Sequence, residues 1–338
     1  MILRSEPTVL ALDQVGKTFT QRPDWIERLL VRLGLMKPTP SVQAVDQISL
    51  EVKAGEFVGL VGESGCGKST LGRLIAGLIK PSRGSCTLSG QNLSQIDAAE
   101  RKRLQLKVQM IFQDPQASLN PRMRVRDIVG EAPRVHGLCS AAELTDYVSA
   151  QLERVGLDRA ALDRFPHQFS GGQRQRIGIA RALAMQPELV ICDESVAALD
   201  VSIQAQVLNL FMDLRRDTGT TWLFISHDLG VVQHICDRVL IMYLGRVVES
   251  APTDQLFEQP QHPYTQALLN DLPRLDRRQR SFKPVSGEIP SPLNPPSGCH
   301  FHPRCPLSGQ RCRAEQPQLI ELPGGRRAAC HLHSGGVE

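Results

Sequence analysis

The sequence predicts an α/β protein in which a mostly parallel sheet carries helices on its faces. Three observations lead there. Short apolar strand candidates alternate with amphipathic helical patterns from Phe57 to Val248. The run Gly62-Glu63-Ser64-Gly65-Cys66-Gly67-Lys68-Ser69-Thr70 sits between an apolar strand, Phe57 to Val61, and a helical pattern starting near Lys68, which is the context a phosphate loop requires. A second apolar strand, Leu189-Val190-Ile191-Cys192, ends in the paired carboxylates Asp193-Glu194.

Strand candidates near 8–13 and 43–53 precede the phosphate loop and read as an antiparallel addition; between them, about 21–41, lies an insertion. Within it, Trp25 to Met36 places Trp25, Ile26, Leu29, Leu30 and Leu33 on one helical face, which can lie on lipid or pack on the protein. The glycines of the phosphate loop let backbone N–H groups point inward around phosphate oxygens, and the following helix aims its positive dipole end at the same anion. Lys68 is expected to reach the β- and γ-phosphates of ATP and Ser69 to ligate Mg²⁺.

The stretch from Gln113 to Gln173 is mostly helical in pattern (Val125 to Val129, Leu144 to Val155) and defines a helical subdomain at about 114–170. Ser170-Gly171-Gly172-Gln173 then precedes another helical pattern, a second phosphate-facing helix start. One chain needs two such ends for one γ-phosphate only if the second serves a nucleotide held by another subunit. At the end of the Leu189 strand, Asp193 is expected to hold the metal through water and Glu194 to polarise the attacking water. Taken singly, Gln113 after the strand Val108 to Phe112 reads as a turn residue, His227 after Thr221 to Ser226 as a cap, and Phe19 as core.

The order of these features resembles the ATP-binding subunits of ABC transporters, over essentially the whole chain. The resemblance makes Gln113 the head of the Q-loop, Phe169 to Gln173 the signature motif with Phe in place of the usual Leu, Ala198-Leu199-Asp200 the D-loop, and His227 the switch histidine. Phe19, in Val15-Gly16-Lys17-Thr18-Phe19, resembles the aromatic that stacks on adenine. The resemblance also implies Gln113 as a further Mg²⁺ contact and Asp200 as part of the nucleotide site. Ser195-Val196-Ala197 departs from the Pro-Thr-Ser usual before Ala-Leu-Asp, outside the phosphate contacts. A nucleotide-binding partner that does not hydrolyse remains an alternative, as do the ABC-type ATPases of DNA and ribosomes, although no tandem ATPase repeat or coiled coil is present.

Composition agrees with a soluble ATPase. Hydrophobic residues make 41% of the chain, enough for a large domain with an appendage. The net charge of +4 is too small and dispersed to argue for nucleic acid. No run of 18 apolar residues occurs, and Arg4, Glu6 and Asp13 break up the start of the chain. The chain is expected to be made and kept in the cytosol; the resemblance implies that it works at the cytoplasmic face of the inner membrane, recruited there by other proteins.

Residues 1–258 form the expected ATPase domain and 259–338 an extension. Of nine cysteines, Cys66, Cys86, Cys139, Cys192 and Cys236 are scattered through the ATPase and read as small buried residues. Cys299, Cys305, Cys312 and Cys330 cluster in a segment poor in aliphatics, where a staple is expected. Their separations of five, six and seventeen residues match no zinc ribbon or ferredoxin run. The region from His262 to His331, with Gly298-Cys299-His300-Phe301-His302-Pro303-Arg304-Cys305-Pro306, resembles the C-terminal region of dipeptide, oligopeptide and nickel importer ATPases. Some of that family carry a [4Fe-4S] cluster on such cysteines; zinc with His300, His302, His331 or His333 nearby, or unliganded thiols, are the alternatives. The same resemblance implies two membrane-spanning permease subunits, an extracytoplasmic solute-binding protein acting indirectly, and peptide as the solute, with nickel or another small solute behind it. Met242-Tyr243-Leu244-Gly245-Arg246 looks like the second of two ATPase subunits, which favours a heterodimer over a homodimer.

Overall fold

The structure, a computed structural model, describes residues 7–20, 41–197, 199–271 and 287–334. The amphipathic stretch Trp25 to Met36 lies outside them, as does Ala198 of the D-loop.

Among the described residues, twelve strands make two sheets. They are β1 (Thr8–Thr20), β2 (Ser41–Lys53), β3 (Phe57–Val61), β4 (Arg83–Leu88), β5 (Gln91–Asn92), β6 (Val108–Ile111), β7 (Leu189–Asp193), β8 (Thr221–Ser226), β9 (Arg238–Tyr243), β10 (Arg246–Pro252), β11 (Ile320–Leu322) and β12 (Arg326–Ala328). The larger sheet runs β11-β12-β10-β9-β3-β8-β7-β6, and its stretch from β9 to β6 is parallel. Every residue of β3, β7 and β8 is buried, which is why these segments read as continuous apolar runs: helices cover both faces of a parallel sheet. On one face Phe57 stacks on Trp222 at 5.7 Å between ring centres, and Phe211 closes on Trp222 at 5.2 Å.

The register brings the carboxyl ends of the parallel strands to one edge. Val61 is opposite Ser226, Asp193 opposite Ile225, and Ile111 opposite Cys192. The phosphate loop, the carboxylate pair, Gln113 and His227 therefore leave the sheet at neighbouring points, the edge where open α/β sheets bind ligands.

The expected antiparallel addition exists, but β1 runs on to Thr20 and joins β2, β4 and β5 in a separate sheet, order β2-β1-β4-β5. Its inward residues Leu10, Leu12, Val45, Ile48 and Leu50 pack with Leu71 and Ile75 of the helix Lys68–Ile75, so this sheet seats the helix that follows the phosphate loop. Helices Val125–Val135 and Leu144–Arg154 bury Val125, Val129, Val148 and Leu152 in one core with Ile177 of the helix Gly171–Leu183.

The C-terminal extension is tied into the ATPase. β12 pairs with β10 and lengthens the main sheet, while Tyr264, Leu269 and Phe301 belong to the main core. Glu249, fully buried on β10, accepts hydrogen bonds from the N–H groups of Gln261 (2.7 Å) and His262 (2.8 Å). The extension thus folds on the ATPase surface, using apolar area the larger domain supplies.

Candidate functional site

A cavity of about 340 Å³ is lined by Ser64, Gly65, Cys66, Gly67, Lys68, Ser69 and Thr70, with Gln113 and Glu194 opposite them. That volume lies in the range of small-molecule pockets. Two glycines show why the loop tolerates no side chain there. At Gly67, φ is +108° and a Cβ would lie 2.1 Å from the Ala44 carbonyl oxygen; at Gly62 it would lie 2.2 Å from that of Met242. Lys68 turns back on the loop, its Nζ donating to the carbonyls of Gly62 (2.7 Å) and Glu63 (3.0 Å). A buried ammonium needs such acceptors, and phosphate oxygens would replace them.

Ser69 Oγ donates to Asp193 Oδ1 at 2.8 Å. Burial raises the Asp193 carboxyl above its usual range, Ser69 counteracts this, and the neighbouring Glu194 charge adds to the rise. A hydroxyl and a carboxylate oxygen held together suit a hard cation, so this pair fits Mg²⁺. Glu194 takes φ +47° directly after β7. Its Oε2 accepts from Gln113 Nε2 at 3.0 Å, and its Oε1 lies 3.5 Å from His227 Nδ1. The turn-residue and capping readings of Gln113 and His227 give way: both side chains converge on one carboxylate from separate strands.

Other expected site residues lie elsewhere. Gly62 and Glu63 stand at the root of the loop rather than in the cavity lining. Phe19 is 44% exposed and pairs on β1 with Val42, a lining residue, so it is no core residue; Lys17 Nζ sits 5.3 Å from its ring centre. Ser170, Gly171, Gly172 and Gln173 do not line the cavity. Ser170 caps the helix Gly171–Leu183 in a reciprocal box, its Oγ accepting from Gln173 N–H (3.3 Å) while Gln173 Oε1 accepts from Ser170 N–H (3.1 Å). Gly172 is pressed against Ile203, whose Cγ2 would lie 2.5 Å from an added Cβ. Asp200 heads the helix Val201–Thr218 at an exposed position, outside the cavity lining.

Residues 45–197 match the family description "ABC transporter", and residues 248–312 match "Oligopeptide/dipeptide transporter, C-terminal region". The oligopeptide transport ATP-binding protein AppF of Bacillus subtilis (strain 168) is 47% identical over 99% of this chain and 100% of its own. The chain belongs to the ABC transporter ATP-binding proteins of the oligopeptide/dipeptide class. The dipeptide transport ATP-binding protein DppF of Haemophilus influenzae is 47% identical over 89% of this chain and 92% of its own. Among solved structures, cbiO1 of Clostridium perfringens, part of the ABC transporter complex cbiONQ, superposes with a TM-score of 0.62 at 26% identity, covering 75% of this chain and 92% of that one. The dimeric ATP-binding cassette MJ0796, bound to ADP and Pi, superposes with a TM-score of 0.61 at 27% identity, covering 72% and 98%. This ABC protein is thus a P-loop ATPase cassette of α/β type. Among its described residues, no helix is long and apolar enough to cross a membrane.

In the extension of this ABC protein the four cysteines are electrostatic neighbours. Burial first, and then the other thiols, push the Cys299 thiol up to about 11. Burial likewise raises Cys305 and Cys330, and Cys312 lies within reach of the other three. Neighbouring backbone N–H groups of Phe301, Leu307 and Leu332 partly offset the rise at Cys299, Cys305 and Cys330 respectively. Yet among the described residues no group of three or more His, Cys, Asp or Glu side chains is arranged to hold a metal ion. The ring nitrogens His302 Nδ1 and His333 Nε2 face the carbonyls of Cys299 (3.0 Å) and Gln261 (2.9 Å). Cys66, Cys86, Cys139, Cys192 and Cys236 are buried, as expected of small core residues, and all nine thiols are free.

Two residues at the phosphate loop were not assigned a role from sequence. Tyr264 Oη accepts the Glu63 N–H at 3.0 Å, and the Arg304 guanidinium grips the Glu63 carboxylate. Both lie in the His262 to His331 region, but nothing local to it points to a loop about 200 residues earlier.

Proposed function

We propose that this protein hydrolyses ATP to power peptide import, from the cytoplasmic face of the membrane and in complex with two permease subunits and a second ATPase subunit. The observation that carries the catalytic reading is Glu194, held between Gln113 and His227 at the cavity mouth. ATP bound along Ser64 to Thr70 presents its γ-phosphate there. Lys68 leaves the Gly62 and Glu63 carbonyls for the phosphates, and Phe19, beside the lining strand, offers a face for the base. Ser69 and Asp193 would hold Mg²⁺, and the cation would supply positive charge to offset what develops on the phosphates. Glu194 orients and polarises the attacking water, and His227 steadies that arrangement.

Ser170 to Gln173 and Asp200 lie outside the cavity of their own chain, and the cassette MJ0796 is dimeric. Both features support a site completed by the partner's signature helix, whose N-terminal dipole end faces the γ-phosphate. Closure then reports ATP occupancy, and moving such a clamp from mostly open to mostly closed takes about 5 kcal/mol of differential binding. The Met242 to Arg246 sequence favours two different ATPase subunits. The names of the relatives favour peptide over nickel as the solute.

For the four-thiol loop the donor chemistry supports a [4Fe-4S] cluster over zinc. A tetrahedral zinc needs its ligands to converge on one point at about 2.3 Å, whereas a four-iron cluster offers each thiolate a separate iron. A brown anaerobic preparation with iron and sulfide by analysis is expected, and a colourless one with zinc would reverse the order. Uptake of labelled di- and oligopeptides by cells carrying Lys68→Ala tests the transport reading. Uptake is expected to stop, and normal uptake would refute it.

A further inference from the structure

We propose that Arg304 is a positioning residue for the phosphate loop, so that order in the cysteine loop of the extension sets ATP affinity. The inference rests on the reading of Ser64 to Thr70 as the ATP site and adds to it a residue from the far end of the chain.

Glu63 is held at every polar group it has. Arg304 Nη1 and Nη2 donate to its two carboxylate oxygens at 2.7 and 2.9 Å, the forked geometry that suits guanidinium and carboxylate. Its N–H donates to Tyr264 Oη at 3.0 Å, and its carbonyl accepts from Lys68 Nζ (3.0 Å) and from the Cys66 N–H (3.3 Å). Glu63 therefore lies one bond from Lys68, and its placement fixes where the loop begins to curl. On the other side Arg304 has little freedom. Its side chain is 4% exposed, its Nη1 also reaches Tyr243 Oη at 3.4 Å, and Tyr243, Tyr264 and Phe301 pack ring to ring around it. A rigid charged fork, buried on aromatic walls, transmits position better than a solvated lysine would.

Arg304 ends the short turn His302–Arg304 between Cys299 and Cys305. That turn is fixed to the thiol loop by His302 N–H on the Cys299 carbonyl (2.9 Å) and Cys299 N–H on the Cys312 carbonyl (2.8 Å). Disorder there would release Arg304, and with it Glu63.

Mg·ATP titrations of the full chain, with melting curves alongside, test the proposal. Arg304→Met is expected to weaken ATP binding about tenfold, equivalent to about 1.4 kcal/mol. The KM for ATP should rise with little change in kcat, since Arg304 does not touch Glu194. Once Glu63→Gln has been made, adding Arg304→Met should weaken binding no further, because both act through one contact. An unchanged Kd with a lowered melting temperature, or losses that multiply in the double variant, would overturn the proposal in favour of plain packing. Should Arg304→Met not fold, Arg304→Lys serves: it keeps the charge and loses the fork, and a wild-type Kd would overturn the proposal equally. Lys68→Ala in the same titration separates the two levels. If it binds ATP normally, the reading of the site has failed rather than the role of Arg304.

Discussion

Replacing Gly67 by alanine, beside the same change at Gly65, tests whether the phosphate loop is shaped by its neighbours or only by backbone preference. Both glycines have positive φ, +108° at Gly67 and +79° at Gly65, so alanine pays a conformational penalty at each, about 1–3 kcal/mol. Their surroundings differ. A Cβ at Gly65 meets nothing within 4 Å, while at Gly67 it meets the Ala44 carbonyl oxygen at 2.1 Å and Met242 Cε at 2.8 Å. Methionine can yield, but Ala44 sits in the chain of β2 just before Val45, which pairs with Lys17 on β1, so the loop itself must move. Overpacking of this kind adds about 1–3 kcal/mol. Thermal unfolding without nucleotide should therefore place Gly67→Ala below Gly65→Ala by several degrees, at roughly 2–4 °C per kcal/mol for a protein of this general size. Equal melting temperatures, or a larger drop for Gly65→Ala, would show that contact with β2 does not shape the loop.

Three further outcomes follow from the geometry. Glu194→Gln keeps the hydrogen-bonding shape between Gln113 and His227 but loses the carboxylate, so ATP binding should persist while single-turnover hydrolysis falls about 10²–10⁴-fold; brisk hydrolysis would assign water activation to another group. Ser170→Ala removes one cap acceptor and should cost the isolated subunit about 1 kcal/mol by melting. In the assembled complex, though, it should depress ATP turnover far more, and proportionate losses in the two assays would argue against a role across the dimer. Burial, with the nearby His333 charge, holds His262 down to about 3, against a partly opposing hydrogen bond to the Ala329 carbonyl. The unfolded chain then binds the extra proton between about pH 6.5 and pH 3, so this histidine's contribution to stability is complete above that window and declines through it at up to about 1.4 kcal/mol per pH unit. Denaturant titrations of wild type and His262→Gln at pH 7 and pH 5 should show a smaller acid loss in the variant; identical losses would place the acid sensitivity elsewhere.

Much of the catalytic half was legible in the sequence because its parts are local. The glycines of the phosphate loop, the serine that caps the helix Gly171–Leu183 and the carboxylates at the end of β7 each stand at the end of a strand or the start of a helix, and each motif carries its own backbone geometry. The parallel sheet was legible too, since β3, β7 and β8 are apolar throughout and only a sheet covered on both faces accommodates that. Less could be read of the second sheet. The pattern near 8–13 gave no sign that β1 continues to Thr20 or that β4 and β5 join it, because pairing partners are chosen by packing and not by one strand's own residues.

By itself, then, the sequence determined the nucleotide-binding class of this protein, the phosphate-loop motif and the carboxylate pair that end its strands, and its membership among peptide-class ABC ATPases. Only the tertiary structure decided that Tyr264, Leu269 and Phe301 of the extension join the main core, that Glu249 and β10 receive it, and that Arg304 closes on Glu63 across 241 positions of chain. The physical reason is range. A helix cap or a phosphate loop is written within a few residues, whereas a buried ion pair between distant segments exists only once the sheet edge and its aromatic walls have brought both partners out of water.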